Sequence, residues 1–403
     1  MTSVVASVVA PRGWDWIPFG RLVERSKQAG REDLQPLSVF LDEGVVPRSS
    51  REDNFNRLGA DMSKYLLVRR GDIVFNKLRT WQGGLGVSNY EGIVSPAYFV
   101  CRPQSPVDPR FLHHLLRSAP YLAEFTRISK FMPPSQFDIL WQDLRGVPVV
   151  LPTFGEQRAI ADFLDAETAR VDALIAKKRR LIELLDEHHR VLVAGAMAEF
   201  RRVPLKRVVA YTEGPGIMAD DFHDDGVPLI RVSGVGGPVV TLVGCNFLDP
   251  AKVKERWSHF ALAPGDRVIS ASATMGTVSV VDHQAAGAIP YTGLIRFRPR
   301  SNSVNMDYVE HFLGSSLFVE QIDLLKTGTA IQHFGPTHLG AVFIPFPSGE
   351  VQAEVARTLG RSERLRARTQ AAVRSQIALL AERRQALITA AVTGEMTVPR
   401  ILT

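Results

Sequence analysis

Three stretches of this 403-residue sequence set cations beside planar amides, the side chains that hold phosphates and hydrogen-bond the edges of bases. Asn76-Lys77-Leu78-Arg79-Thr80-Trp81-Gln82 follows a Gly-Asp turn and an apolar strand. Arg127-Ile128-Ser129-Lys130-Phe131 with Gln136, and Lys326-Thr327-Gly328-Thr329-Ala330-Ile331-Gln332-His333-Phe334, each place a lysine and later a glutamine in an aromatic-flanked loop. Glutamine can bridge N6 and N7 of adenine, while lysine or threonine can hold a phosphate. The competing reading makes the first stretch ordinary surface charge beside a core Trp81 and the other two structural loops.

Covalent chemistry finds no comparable set. The chain has no Gly-Lys-Ser/Thr, which argues against a P-loop and nucleotide hydrolysis. His188 and His189 are adjacent rather than four apart, so they form no zinc pair on a helix and read as surface histidines. Gly234-Val235-Gly236-Gly237-Pro238 runs into a strand pattern instead of a helix, against a dinucleotide loop. The only Pro-Pro, in Met132-Pro133-Pro134-Ser135, lacks the flanks of an amino-methyltransferase loop. Two cysteines, Cys101 and Cys245, make neither a disulfide framework nor a Cys-rich zinc site.

Lys plus Arg number 48 against 42 Asp plus Glu, a net charge of +6, which permits attraction to a polyanion without identifying one. With 45% hydrophobic and 22% charged residues and no apolar run of membrane-spanning length, no membrane role is expected. The opening MTSVVASVVA has no basic start and is too short for a signal peptide, so the cytoplasm is the expected compartment.

The elements that must position the three stretches come from an internal repeat. Ile17-Pro18-Phe19-Gly20-Arg21-Leu22-Val23 is answered by Val203-Pro204-Leu205-Lys206-Arg207-Val208-Val209, and Arg70-Gly71-Asp72-Ile73-Val74-Phe75 by Pro264-Gly265-Asp266-Arg267-Val268-Ile269. Phe111 to Leu116 is answered by Tyr308 to Leu313, the Pro-containing apolar run at 147–152 by that at 342–347, and Ile182 to Glu187 by Ile377 to Glu382. Gln352 follows Gln157 by 195 positions, as Ile377 follows Ile182. Matches in one conserved order imply two copies of one architecture.

Each copy ends in a proline-free segment, Glu156 to about Met197 and Val351 to about Val392, with apolar residues at helical spacing. The seam is expected at Leu164, Val171, Ile175, Ile182, Leu185 and Leu192 in the first, and Val355, Leu359, Ile377, Leu380 and Leu387 in the second, with Leu174, Leu181, Leu365 and Ala372 on the same stripe. Roughly forty residues make a rod of about 60 Å whose narrow apolar line needs another helix, most simply the other copy. The alternative is that each helix caps its own domain. Lys177 to Arg180 and Arg361 to Arg368 read as solvated faces, balanced by Asp162, Asp165, Glu167 and Asp172, rather than as a DNA-binding stripe.

The run Leu151-Pro152-Thr153-Phe154-Gly155-Glu156-Gln157-Arg158-Ala159-Ile160-Ala161-Asp162-Phe163-Leu164, continuing through Thr168 to Lys178, resembles the start of the spacer in DNA specificity subunits of type I restriction-modification systems. Arg383 to Gly394 resembles the end of the second spacer. The resemblance implies an α+β chain: two similar mixed α/β target-recognition domains joined by two long helices in an antiparallel coiled coil, with pseudo-twofold symmetry. The expected ranges are 1–152 and 201–347 for the recognition domains, and 153–200 and 348–403 for the spacer helices and the C-terminal tail.

Such a subunit has no catalytic residues, cofactor or metal of its own. It reads a bipartite site in double-stranded DNA and recruits two modification subunits, which methylate adenine with S-adenosylmethionine; restriction subunits using ATP and Mg can join them. In that family the stretch corresponding to 76–82 lies in the recognition domain, which makes Lys77 and Arg79 the first DNA-contact candidates; Lys130, Gln136, Lys326, Thr329, Gln332 and His333 follow from their residue types alone. Gly349-Glu350-Val351-Gln352 and Thr358, standing where Phe163 does, depart from the pattern, so the second helix is expected to begin differently. The alternatives are a self-contained DNA methyltransferase or nuclease with a diverged motif and, more weakly, a coiled-coil scaffold without a DNA role.

Overall fold

The computed structural model describes residues 3–5, 8–41, 43–51, 61–104, 106–132, 136–271, 277–326 and 334–398, and the chain divides into two compact units. The first comprises residues 1–178 and 375–403, the second residues 179–374.

In the first copy the elements are β1 (Asp15–Pro18), α1 (Phe19–Leu22), β2 (Val23–Ser26), β3 (Leu37–Phe40), β4 (Gly44–Pro47), β5 (Leu66–Val68), β6 (Ile73–Asn76), β7 (Leu85–Val87), β8 (Gly92–Val94) and β9 (Tyr98–Pro103). They continue with α2 (Pro109–Leu116), α3 (Ala119–Ile128), β10 (Lys130–Met132), β11 (Gln136–Asp138), α4 (Trp141–Leu144), β12 (Pro148–Leu151) and the long α5 (Phe154–Met197). The second copy has β13 (Arg202–Pro204), α6 (Leu205–Val208), β14 (Val209–Glu213), β15 (Phe222–His223), β16 (Val227–Ile230), β17 (Asn246–Leu248), α7 (Pro250–Lys252), β18 (Arg267–Ser270), β19 (Val278–Val280), β20 (Ile289–Pro290) and β21 (Leu294–Pro299). It closes with α8 (Met306–Leu313), α9 (Ser316–Lys326), α10 (Pro336–Leu339), β22 (Phe343–Pro345) and α11 (Gly349–Thr393).

The repeat is a repeat of topology. The first unit holds an antiparallel sheet in the order β2-β9-β6-β7, the second the order β14-β21-β18-β19; β1 pairs antiparallel with β12 as β13 does with β22. The Gly-Asp turns show why these residue types recur. Gly71 and Gly265 both sit at φ +88°, where a side chain would be strained. Buried Asp72 then accepts the Arg69 N–H at 2.9 Å and meets Arg102 of β9 at 3.3 Å, while buried Asp266 accepts the Ala263 N–H at 2.8 Å and Arg298 of β21 at 2.7 Å.

The paired glutamines lock each long helix to its sheet domain. Gln157 accepts the backbone N–H of Asp108 at 2.9 Å and donates to the Pro152 carbonyl at 2.9 Å. Gln352 accepts from Asn305 and donates to Pro347 at the same two distances. Asp108 and Asn305 are themselves the N-caps of α2 and α8, so each glutamine joins two helix starts. Contrary to the expectation from Thr358, α11 begins at Gly349, 195 positions after the start of α5 at Phe154. Pro152 and Pro347, which accept from the two glutamines, keep the same offset of 195, so the lock has the same spacing in both copies.

Both long helices contribute to each unit. In the first, Ile160, Ala161 and Leu164 of α5 and Ile388, Ala391 and Val392 of α11 enter the same core as Phe19, Phe75 and Phe111. In the second, Val193 and Met197 of α5 join Ala356 and Leu359 of α11 around Phe297, Phe312 and Phe318. The two helices run antiparallel within each unit: Asp172 meets Arg384 at 3.0 Å and Lys178 donates to Gln376 at 2.5 Å in the first, while Asp186 meets Arg366 at 2.7 Å and accepts from Gln370 at 2.8 Å in the second.

The seam is a heptad with polar members. Buried or half-buried positions recur three and four apart, at 161, 164, 168, 171, 175, 178, 182, 185, 189 and 192 in α5 and at 356, 359, 363, 366, 370, 373, 377, 380, 384, 387 and 391 in α11. Leu164, Ile175 and Leu359 are buried; Val171, Ile182, Leu185, Leu192, Val355, Ile377, Leu380 and Leu387 are half-buried. Leu174, Leu181, Leu365 and Ala372, which the apolar spacing put on the stripe, are exposed instead. Thr168, Lys178, Gln370 and Arg384 hold seam positions in their place, where hydrogen bonds and charge select register. His189 also corrects the surface assignment: it is half-buried, and burial with Arg366 nearby depresses its basicity, whereas His188 is exposed.

The acidic residues of α5 are committed rather than diffuse counter-charge. Arg110 of α2 reaches Asp162 at 2.7 Å and Asp165 at 3.1 Å, and His114 meets Asp165 at 2.8 Å. Burial raises the Asp165 carboxyl, but these hydrogen bonds outweigh it and hold it below its ordinary range.

Candidate nucleic-acid interface

The loop after β6 is shaped by its own backbone. Asn76 Oδ1 accepts the Leu78 N–H at 3.2 Å, Thr80 Oγ1 donates to the Asn76 carbonyl at 2.7 Å, and a single helical turn follows at Thr80–Gln82. Gly83 closes it at φ +90°, and a Cβ on Gly84 would lie 2.7 Å from the Arg79 carbonyl oxygen. The side chains between are therefore displayed by a fixed turn.

Lys77 and Arg79 differ in state. Lys77 is half-buried, its Nζ 3.7 Å from Asp138 and 5.5 Å from the centre of the Phe99 ring. Arg79 is exposed, and among the described residues its guanidinium makes no hydrogen bond. Trp81 is half-buried: its indole donates to the Leu78 carbonyl at 3.2 Å and its ring lies 4.8 Å from Phe137.

Phe137 directly follows Gln136 of the second candidate stretch, so the structure joins what the sequence left separate. The β10–β11 hairpin pairs Lys130 with Asp138, Phe131 with Phe137 and Met132 with Gln136. The Ile139 N–H donates to the Lys77 carbonyl at 3.2 Å, and the Phe131 and Phe137 rings stand 5.2 Å apart. Lys130 is exposed; Gln136 is placed by its backbone pairing, its side chain lying outside the described residues. The hairpin keeps two faces apart: Phe131 and Phe137 lie on the side of Trp81, whose loop displays Arg79, while Lys130 and Asp138 lie on the side of Lys77. The stacking was missed from sequence because Phe137 meets Trp81 across more than fifty positions, a contact no local spacing reveals.

In the second copy, Lys326 is the last residue of α9, with its side chain outside the described residues, as are Thr329, Gln332 and His333. The described part resumes at Phe334, which is buried 6.1 Å from the Phe318 ring.

Among the described residues no group of three or more His, Cys, Asp or Glu is placed to hold a metal, and no helix is long and apolar enough to cross a membrane. Cys101 is buried and Cys245 half-buried, both free thiols. His113, on α2, packs against the Gly44 and Gly86 backbones and accepts the Val87 N–H at 3.3 Å through Nδ1; burial and the neighbouring Arg117 depress its pKa to about 3, so it stays neutral.

No protein-family model matches the chain. It is 28% identical over 181 residues to the type I restriction enzyme StySPI specificity subunit of Salmonella potsdam, a match covering 44% of this chain and 38% of that subunit. It is 22% identical over 382 residues to the MjaVIII specificity subunit of Methanocaldococcus jannaschii, covering 87% and 86%. In fold it is similar to a chain from a structure of a type I restriction-modification system, with a TM-score of 0.76 at 18% identity over 96% of this chain and all of that one. The HsdS subunit from Thermoanaerobacter tengcongensis gives a TM-score of 0.54 at 20% identity over 96% and 98%. In sequence this chain is similar to specificity subunits of type I restriction enzymes, and in fold to these two solved chains.

Proposed function

We propose that the chain is the sequence-reading, non-catalytic subunit of a type I restriction-modification complex. Its two recognition domains, residues 1–152 and 201–347, read the two parts of a split site in double-stranded DNA, and the helices at 153–200 and 348–403 hold the partner subunits. In this reading two modification subunits bring S-adenosylmethionine and restriction subunits bring ATP and Mg; this chain supplies only recognition. The observation that carries it is the duplicated sheet order, β2-β9-β6-β7 and β14-β21-β18-β19, each followed by a long helix. Two copies of one scaffold bearing different loops suit two different half-sites.

Lys77, Arg79, Lys130 and Gln136 are the proposed contacts of the first domain, and Lys326, Thr329, Gln332 and His333 those of the second. The seam residues from Leu164 to Leu192 and from Val355 to Leu387 are proposed to keep the partner-binding helices together.

Mapping methylated adenines across the host genome tests the reading. An interrupted motif present with the chain and lost on its deletion is the expected result. A motif that survives the deletion, or methyl transfer from S-adenosylmethionine to DNA by the purified chain alone, would overturn it.

A further inference from the structure

Phe131 is the outermost member of a stack of three rings at the surface of the first unit. Trp81 is fixed by its indole hydrogen bond to Leu78; Phe137 leans on it at 4.8 Å; Phe131 leans on Phe137 at 5.2 Å and leaves 58% of its surface in water. A single exposed phenylalanine needs no explanation. This one is braced from behind, on a hairpin whose Ile139 N–H is tied to the Lys77 carbonyl, and the loop that carries Trp81 displays the exposed cation Arg79. β6, which leads into the Trp81 loop, is a central strand between β9 and β7.

We propose that Phe131 is a wedge: its ring enters a base step of duplex DNA and unstacks it, while Arg79, exposed on the loop that carries Trp81, holds a flanking phosphate. An exposed ring stacked on a loop that also displays a guanidinium fits a ligand that is anionic on its rim and aromatic within, and the braced stack spares the ring the entropy of being ordered on contact. A protein partner with an acidic rim is the competing occupant. The inference rests on the DNA-reading function and goes beyond it, since base-edge recognition by Lys, Arg and Gln requires no unstacking.

The test uses the full chain. A randomised duplex pool is first enriched on wild-type protein, and 2-aminopurine is then placed step by step along the enriched site. The expected outcome is a fluorescence rise at one step, abolished by Phe131→Ala together with a loss of about tenfold or more in affinity, and retained by Phe131→Trp. Because the ring is largely exposed, Phe131→Ala should leave the circular dichroism melting curve unchanged; Phe131→Leu, which keeps apolar bulk but not the ring, serves as a second variant and should lose most of the signal. An enriched site with no fluorescent step and unaltered affinity in both variants overturns the wedge and leaves DNA reading standing. Failure of the pool to enrich any sequence overturns the DNA-reading function, and the wedge with it.

Discussion

At the scale of single residues, His113 shows how burial converts a titratable group into a pH liability. Its Nδ1 must stay unprotonated to accept the Val87 N–H, and Arg117, His114 and Arg384 oppose a proton there while Asp165 favours one. The folded pKa of about 3 lies below the ordinary value of 6.5, so below about pH 6.5 the unfolded chain takes up a proton that the folded chain refuses. Stability from this residue is therefore full above pH 6.5 and lost progressively toward pH 3, with a slope of up to about 1.4 kcal/mol per pH unit. Urea unfolding between pH 7 and pH 5 should show that slope for the wild type and a flatter one for His113→Gln; equal slopes would remove His113 as its source. Gln157 and Gln352 were legible at this scale because both do the same job at the same position of a repeat. The ion pair between Lys77 and Asp138 was not, because its partners are brought together by a sheet and a hairpin rather than by spacing.

Elements were read well where their cause is periodic and less well where it is register. The long helices, the Gly-Asp strand entries and the repeat follow from patterns that the sequence repeats. The stripe was mis-assigned at Leu174, Leu181 and Leu365 because choosing the most apolar residue in each turn differs from choosing the residue that faces the partner helix. The heptad instead admits Thr168, Lys178, Gln370 and Arg384, whose hydrogen bonds and ion pairs satisfy them in the seam. Two neighbouring leucines of α11 separate the alternatives. Leu359 is fully buried in the second unit's core, so Leu359→Glu should cost at least about 3 kcal/mol by chemical denaturation. Leu365 is 66% exposed, and Leu365→Glu should stay within about 0.5 kcal/mol of wild type. Comparable losses in the two variants would contradict the heptad.

On the scale of the whole chain, the second unit is one continuous segment and the first is assembled from two pieces. The C-terminal piece supplies Ile388, Ala391 and Val392 to the first core, and Gly394, at φ +76°, passes so close to Pro11 that a Cβ there would lie 2.1 Å from its ring. Ending the chain after Arg374 should therefore open the first unit while sparing the second. Hydrogen exchange should show β6 and β9 losing protection and β18 and β21 keeping it; retained protection in β6 would show that the first unit does without its second piece. The discontinuity was not legible from the repeat, which suggests two successive domains, because nothing in a linear pattern says that a helix end returns to the core of the other copy.

That interleaving sets an order of events at the ribosome. Residues 1–178 emerge first yet lack part of their core until α11 has been made, whereas everything the second unit needs is present once Arg374 has cleared the exit tunnel. The half translated later becomes complete earlier, and the half translated first waits as an unfinished intermediate, exposing to chaperones the apolar face that Ile388 and Val392 will cover.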